Sequence, residues 1–426
     1  MQKLLNIIKK IIPRKTFKFF QPYYHWLMAF LSALLYRFPS RKIFVVGVTG
    51  TKGKTSTIEI ISAILEEAGY KTALSSSLRF KIDKESQKNE YKMTMPGRFF
   101  MQKFLRKAVK EKCQYAILEM TSEGAVQFRH KFIKINAIIF TNLAPEHIES
   151  HGSFENYRDA KLKLFKALEK SGVKRKIIIV NEDDPNASRF LNFNPPSGGE
   201  EKIKYGIHRP ESYELQKDGL SFRMDNLNIK TKLSGLFNLY NILAAIALAK
   251  SQNIGIETIK SALEKFSGIE GRMEEIDPPA GGLDFKIIVD YAHTPDSLEK
   301  VYENFQTSKK ICVLGACGGG RDKWKRPEMG KIASKHCEKI ILTNEDPYDE
   351  DPVKIVEDIK NGMAKNAEII MDRREAIKKA LHLAQTGDTI IITGKGSEPW
   401  LMGPKGTKIK WDDREVVREE LKRIIK

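Results

Sequence analysis

The chain is short of cysteine. Its 426 residues include Cys113, Cys312, Cys317 and Cys337, and no two of these form a C-x-x-C pair. Neither a zinc ribbon nor a dithiol redox motif is supported, and reduced cytosolic thiols are the expectation. The apolar and aromatic stretch from Tyr23 to Phe38 is broken by His25 and Arg37. It falls short of the about 20 residues that a membrane span requires. No small-residue cleavage site follows it, which argues against a signal peptide. There is no solenoid period and no long low-complexity tract. No RNP-like, zinc-finger or helix-turn-helix signature is present, so specific nucleic-acid binding is not expected. Acidic residues are in deficit: 54 Asp and Glu face 73 Lys and Arg, a net charge of +19. That balance suits nucleotides, phosphorylated substrates, nucleic acid or an anionic membrane face, and does not choose among them. A hydrophobic fraction of 41% supports real cores, and the length suits two or three domains.

What is there begins with Gly50-Thr51-Lys52-Gly53-Lys54-Thr55-Ser56. An apolar run, Ile43 to Val48, precedes it as a buried strand. Ile58, Ile61, Ile64 and Leu65 follow at helical spacing. Strand, glycine turn, Gly-Lys-Thr and helix make a phosphate cradle. Small residues let backbone N–H groups approach phosphate, Lys54 brings a cation, and the Thr55 hydroxyl can ligate Mg²⁺. The common nucleotide-loop pattern has glycine at the position of Val48; here the glycines are Gly47 and Gly50. The alternative is a tight strand-to-helix turn that happens to carry a lysine.

The periodicity predicts a central α/β domain over residues 41–269, with strands at 43–48, 114–119, 136–141 and 176–181. Helices are expected at 98–111, 154–170 and 239–250. This alternation implies a mostly parallel sheet with helices on both faces. Residues 192–233, opening on Pro195-Pro196-Ser197-Gly198-Gly199, read as an accessory β-rich section. A smaller α/β domain follows over 270–426, with strands at 286–290, 310–314, 339–343, 368–371 and 389–393. Its helices are expected at 295–305, 327–336 and 352–364, and Pro278 to Gly282 forms a loop. Residues 1–40 stand apart. Six basic side chains, from Lys3 to Lys18, accompany aliphatic ones, and an aromatic stretch follows. Either helices pack on the next domain or a basic-aromatic segment lies on the inner membrane surface. Packing is the preferred reading.

Three further stretches carry chemistry. Glu119 ends the apolar strand Tyr115 to Leu118 and is placed to hold Mg²⁺, although many strands end in an acid. His147, in Thr141-Asn142-Leu143-Ala144-Pro145-Glu146-His147, is either a metal ligand or a structural histidine. Lys161 lies in Tyr157 to Phe165, which on composition is an amphipathic helix with a solvated face.

Taken together and in order, these stretches resemble the Mur ligases. Glu119 to Arg129, Gly235 to Asn241, Gly271 to Glu274, Asp290 to Asp296, Arg321 to Pro327 and Gly394 to Glu398 extend the likeness over about residues 31–426. It is nearest to the members that add the third residue of the peptidoglycan stem. The resemblance implies a P-loop ATPase-like parallel-sheet domain followed by a smaller Rossmann-like α/β domain. It implies ATP on Gly50, Thr51, Lys52, Gly53, Lys54, Thr55 and Ser56, with Asn238, Arg272, Asp290 and His293 also at the nucleotide. Mg²⁺ would lie among Thr55, Glu119, His147 and Lys161, the last carbamylated by CO₂. A carbamate offers anionic oxygens where an ammonium would repel metal. Thr94, Met95, Thr121, Gln127 and Arg129 match contacts to a muramoyl-peptide acceptor. Arg326, Glu345, Asp346, Pro347, Tyr348, Gly394 and Glu398 match the amino-acid site. ATP would phosphorylate the acceptor carboxylate, and the amino acid's amine would attack the acyl phosphate, with domain closure keeping water out.

Three departures bear on substrate. Full-length members carry a uridine-binding domain, whereas only a short stretch here precedes the strand at Ile43; a lipid-linked or simpler glycopeptide acceptor is a candidate. Thr121-Ser122-Glu123 stands where serine-serine-histidine is usual. Glu345-Asp346-Pro347-Tyr348 stands where diaminopimelate-selecting members have Asp-Asn-Pro-Arg, which favours lysine or ornithine. The expected protein is a cytoplasmic monomer acting on small molecules, with any membrane contact at the inner face through residues 1–38. Folylpolyglutamate synthetases are the alternative within the class. A non-catalytic Mur-like subunit docked on a membrane or partner is the alternative outside it.

Overall fold

A central parallel strand sets the phosphate loop in place. The computed structural model describes residues 14–192, 200–216, 219–277 and 284–424. The basic residues expected before Arg14, the Pro195–Gly199 run and the Pro278–Gly282 loop lie outside these. In the first sheet, β1 (Phe44–Thr49) is flanked by β5 (Tyr115–Glu119) and β6 (Ala137–Phe140). β2 (Thr72–Ser75), β3 (Arg79–Ile82) and β4 (Glu85–Lys88) extend one side, and β7 (Lys176–Asn181) and β8 (Glu200–Tyr205) the other. The order is β4-β3-β2-β5-β1-β6-β7-β8. β1, β5, β6 and β7 are near-continuous apolar runs because helices cover both faces. β3 and β4 are antiparallel, and β4 is exposed throughout. Its polar sequence, Glu-Ser-Gln-Lys, blunts a sheet edge rather than filling a core, which is why apolar patterning did not reveal it.

By chain contacts, one compact unit comprises this sheet and its helices (residues up to 144, 155–206 and 242–259), and a second comprises 145–154, 207–241 and 260 onward. The segment 145–154, which bears His147, therefore belongs to the second unit. So does a three-stranded antiparallel meander: β9 (Ser212–Gln216), β10 (Gly219–Met224) and β11 (Leu227–Thr231). Asp225 and Asn226, both at positive φ, close its β10–β11 hairpin.

The second unit's main sheet runs β12 (Glu274–Glu275), β13 (Lys286–Val289), β17 (Thr389–Ile392), β14 (Lys310–Leu314), β15 (Lys339–Leu342), β16 (Glu368–Ile369). All pairs except β12–β13 are parallel. Separate apolar clusters cover its two faces, one around Leu298, Met329 and Ile359 and the other around Ile377, Ile390 and Val417. β18 (Trp400–Met402) and β19 (Lys408–Lys410) form a small hairpin.

The expectation of four reduced thiols is corrected here. Cys312 on β14 and Cys337, just before β15, are joined in a disulfide; Cys113 and Cys317 are free. They are 25 residues apart in sequence, but the parallel β14–β15 pairing sets their backbones side by side.

The helix Arg14–Leu35 packs through small residues. Ala29, Ser32 and Ala33 are buried, and the rings of Trp26 and Phe30 each meet Phe132 at 5.5 Å. Its other side exposes Phe19, Phe20, Tyr23, Leu27, Leu34 and Leu35. Among the described residues, no helix is long and apolar enough to cross a membrane.

Candidate active site

The phosphate loop leaves β1 through Gly50, at φ +152°, where a side chain would strike Thr141 and Asn142. Gly53, at φ +80°, starts the helix Lys54–Glu67. Only glycine takes up such backbone without strain. The loop is pinned from β6: Asn142 accepts from Lys52 N at 2.9 Å, and its backbone oxygen accepts from Thr51 N at 2.9 Å. The Thr141 hydroxyl donates to the Lys52 carbonyl at 2.7 Å. Ser56 is buried in the first helical turn.

Two lysines meet this loop. Lys54 Nζ donates to the carbonyls of Gly50 (3.1 Å) and Thr51 (2.9 Å). Lys161 is 2% exposed, and its Nζ donates to the same Gly50 carbonyl at 2.8 Å. Its amine lies 4.4 Å over the Tyr157 ring, and the Tyr157 hydroxyl is 3.1 Å from Thr51 Oγ1. The helix Phe154–Glu169 thus turns Lys161 inward, not toward solvent as composition implies. The Thr55 hydroxyl donates to Glu119 Oε2 at 3.0 Å and lies 2.8 Å from Ser77 Oγ. Ser77 N donates to the same carboxylate oxygen at 2.7 Å. Thr55 and Glu119 are thus adjacent hard-oxygen donors, the chemistry Mg²⁺ takes.

Beside the end of β5, Thr121 caps the helix Ser122–Val126, accepting from Gly124 N at 3.1 Å. Its own N–H points to the sulfur of buried Met95 at 3.4 Å; Thr94 is half-buried next to it. Arg129 donates to Gln127 Oε1 at 2.7 Å and 3.1 Å, and to the Met95 carbonyl. The resemblance-derived acceptor residues therefore form one connected patch.

In the second unit, Asp290 holds a turn: its oxygens accept from Met273 N and Ala292 N, both at 2.7 Å. His293 Nδ1 is 2.7 Å from the Tyr291 carbonyl, and Nε2 is 3.5 Å from Glu146. Arg272 lies 4.1 Å over the Tyr291 ring, and the Tyr291 hydroxyl donates to Glu398 at 3.0 Å. Asn238 donates to the Ser234 carbonyl at 2.8 Å and accepts from Asn241 at 3.1 Å. His147, at φ +58°, precedes the short helix Ile148–His151.

The amino-acid stretch is a buried charge network. Lys395 is fully buried, 2.9 Å from Asp346 and 2.6 Å from Glu398. Asp346 also accepts from Met402 N at 2.8 Å. Glu345 accepts from the Cys317 thiol at 2.9 Å, and its Oε2 is buried with no hydrogen-bond partner among the described residues. Burial raises the Glu345 pKa. Gly394, at φ +108°, leaves room for that oxygen. Gly318 packs on the Pro347 carbonyl. Tyr348 sits at φ +53°, with burial and then Asp346 lifting its hydroxyl to about 12. Arg326 is buried and committed, donating to Asp358 and Glu350 at 2.9 Å each. Arg321 is different: it is exposed and has no hydrogen-bond or ion-pair partner among the described residues. Its guanidinium lies in the field of the Glu146 carboxylate. Arg321, Cys317, Lys395, Asn142 and Ser77 were not singled out from sequence. Arg321, Asn142 and Lys395 stood inside recognised stretches, so proximity to a motif was their only signal.

Known proteins resemble this chain in sequence and fold. Residues 48–249 match the Mur ligase middle domain, and residues 271–396 match the Mur ligase glutamate ligase domain. The UDP-N-acetylmuramoyl-L-alanyl-D-glutamate–2,6-diaminopimelate ligase of Syntrophomonas wolfei is 40% identical over 416 residues, spanning 94% of this chain and 82% of its own. The chain belongs to the Mur ligase family. The UDP-N-acetylmuramyl-tripeptide synthetase of a Roseiflexus species is 34% identical over 92% of this chain and 81% of its own. A solved UDP-N-acetylmuramoyl-L-alanyl-D-glutamate–2,6-diaminopimelate ligase is 28% identical with a TM-score of 0.61, covering 90% of this chain and 79% of that one. The folylpolyglutamate synthase of Mycobacterium tuberculosis has a TM-score of 0.70 at 13% identity, covering 94% of each chain, and so shares the fold. This Mur ligase is an ATP-dependent enzyme that joins an amino acid to a carboxylate through an amide bond.

Proposed function

We propose that this ligase adds an amino acid to the terminal carboxylate of a muramoyl-peptide acceptor during peptidoglycan precursor synthesis. The observation that carries the reading is the convergence of Lys54, Lys161, Thr55 and Glu119 on one glycine loop. Lys54 offsets charge on the ATP phosphates while the γ-phosphoryl passes to the acceptor carboxylate and ADP leaves. The amino acid's amine then attacks the acyl carbon. The C–O bond to phosphate breaks, phosphate leaves with the electron pair, and the amine gives up a proton.

Thr55, Glu119, His147 and Lys161 as a carbamate would hold Mg²⁺, which when bound supplies charge neutralisation at the phosphates. Carbamate formation joins the Lys161 amine to CO₂ with loss of a proton. The burial of Lys161 beside Gly50 supports the exchange, since a buried ammonium is costly. Thr94, Met95, Thr121, Gln127 and Arg129 hold the acceptor. Asn238, Arg272, Asp290 and His293 serve the nucleotide.

For the incoming amino acid, Arg321 takes the α-carboxylate, because the guanidinium of Arg326 is already divided between two acids. Glu345, whose buried Oε2 has no hydrogen-bond partner among the described residues, favours a distal amine such as that of lysine or ornithine, and Asp346, already paired with Lys395, adds negative charge beside it. Diaminopimelate would bring two carboxylates to loops in which, among the described residues, Arg321 is the guanidinium without a hydrogen-bond or ion-pair partner. The exposed aromatic and leucine side chains of the helix Arg14–Leu35 support peripheral contact with an anionic membrane face, and the enzyme acts as a monomer. The test is ATP turnover against a matrix of muramoyl-peptide acceptors and amino acids, with products identified by mass. Phosphate release should require both substrates. Release with neither, or fastest turnover with diaminopimelate, would overturn the respective assignments.

A further inference from the structure

The helix Arg14–Leu35 carries a histidine that ligation leaves unused. Both ring nitrogens of His25 are buried, and neither has a hydrogen-bond partner among the described residues. Its charged neighbours are Arg98, at the start of the helix Arg98–Lys110, and Arg129. Burial first, then the charge of these two arginines, pushes the His25 pKa down to about 4. Arg98 donates to the Gln127 carbonyl, and its Nε is buried with no hydrogen-bond partner among the described residues. Among the described residues Arg129 bonds only neutral acceptors: Gln127 Oε1, the Met95 carbonyl and, at 3.6 Å, the Met93 sulfur. Burial lowers the pKa of both guanidiniums. The other ionisable groups that reach them are Tyr24, acting on Arg98, and exposed Glu123, acting on Arg129.

Two half-buried guanidiniums and an imidazole with both ring nitrogens buried thus lie together, with no carboxylate among the described residues bonded to any of them. Buried charges are ordinarily paired and buried polar atoms ordinarily bonded, so this cluster costs stability. An oxyanion would satisfy it, since a guanidinium fork matches carboxylate or phosphate oxygens. The cluster also joins the acceptor patch through Gln127 and Met95.

We propose that His25, Arg98 and Arg129 form an anion-binding pocket that seats an oxyanion of the acceptor, with the N-terminal helix contributing the histidine. The proposal rests on the acceptor reading above and adds to it a residue from a segment outside both matched family domains. The oxyanion is either a carboxylate of the peptide or a phosphate on the sugar.

The test uses the full chain without ATP or amino acid. Muramoyl-L-alanyl-D-glutamate, with and without a sugar 1-phosphate, and inorganic phosphate are titrated in, and the His25 ring signals are followed by NMR across pH. A bound anion should raise the His25 pKa by one unit or more. In calorimetry, His25→Gln and Arg98→Lys should each weaken binding about tenfold. Weakening confined to the phosphorylated acceptor identifies phosphate; weakening of both acceptors identifies a carboxylate. An unmoved His25 titration, with wild-type affinities in both variants at wild-type melting temperature, overturns the pocket. Turnover of the wild type on the same acceptors is measured in parallel. Turnover without a His25 response defeats the pocket alone, and a His25 response without turnover defeats the ligase reading alone.

Discussion

Lys161 shows what a residue's surroundings add to its identity. In the sequence it sits in Asp159-Ala160-Lys161-Leu162-Lys163, which composition reads as the solvated side of a helix. In the fold it is almost fully buried against Gly50 and the Tyr157 ring. If its carbamate is needed for ligation, Lys161→Ala should lose about 10³-fold in turnover, the scale of removing one preorganised electrostatic group. Added short-chain carboxylic acids should restore part of it. Undiminished ligation in the variant would refute that role. His130 gives a second prediction at this scale. Burial, and then Lys131 and Lys163, hold its pKa to about 3 against an ordinary 6.5. The unfolded chain therefore binds more protons between those values. The resulting stability is complete above pH 6.5 and is lost as pH falls toward 3, an effect on the order of a few kcal/mol. Melting curves from pH 7.5 to 4 should show this acid slope in the wild type and a shallower one in His130→Leu.

Elements with a strong period were legible before any coordinates. The spacing of Ile58, Ile61, Ile64 and Leu65 predicts the helix that starts at Lys54, and the apolar runs predict β1, β5, β6 and β7 within a residue or two. β4 was not legible, because this edge strand carries exposed polar side chains rather than a buried stripe; β3 does bury Phe80 and Ile82 on one face, but at four residues it is too short to show a period. Cys312 and Cys337 were misread because only the β14–β15 register brings them together. A crosslink closing that loop is worth about 3 kcal/mol on the chain-entropy estimate. Dithiothreitol should therefore lower the melting temperature of the wild type and leave that of a Cys312→Ser/Cys337→Ser variant unchanged; equal responses would mean the crosslink contributes nothing. The helix Arg14–Leu35 has two separable faces. Phe30→Ala should cost about 2 kcal/mol through lost packing on Phe132. Phe19→Ser with Tyr23→Ser should leave the melting temperature alone and weaken binding to anionic vesicles. Retained vesicle binding in that double variant would count against membrane contact through this face.

At the scale of the whole chain, a net charge of +19 predicts that any vesicle association falls steeply as salt rises. Co-sedimentation at 50 and 500 mM salt should show this, and salt-independent association would point to the apolar face alone. The sequence by itself determined the phosphate loop, the family and the succession of strands and helices. Those depend on local spacing, on glycines needed for backbone shape, and on motifs in fixed order. Only the tertiary structure decided which groups Lys161 meets in its burial against Gly50, that Arg326 is already paired while Arg321 has no hydrogen-bond or ion-pair partner among the described residues, and that His25 lies with Arg98 and Arg129. Each of these turns on which distant side chains share a small volume, and on whether a charge there meets water, an acid or another cation. Nothing in the one-dimensional order of residues encodes that directly.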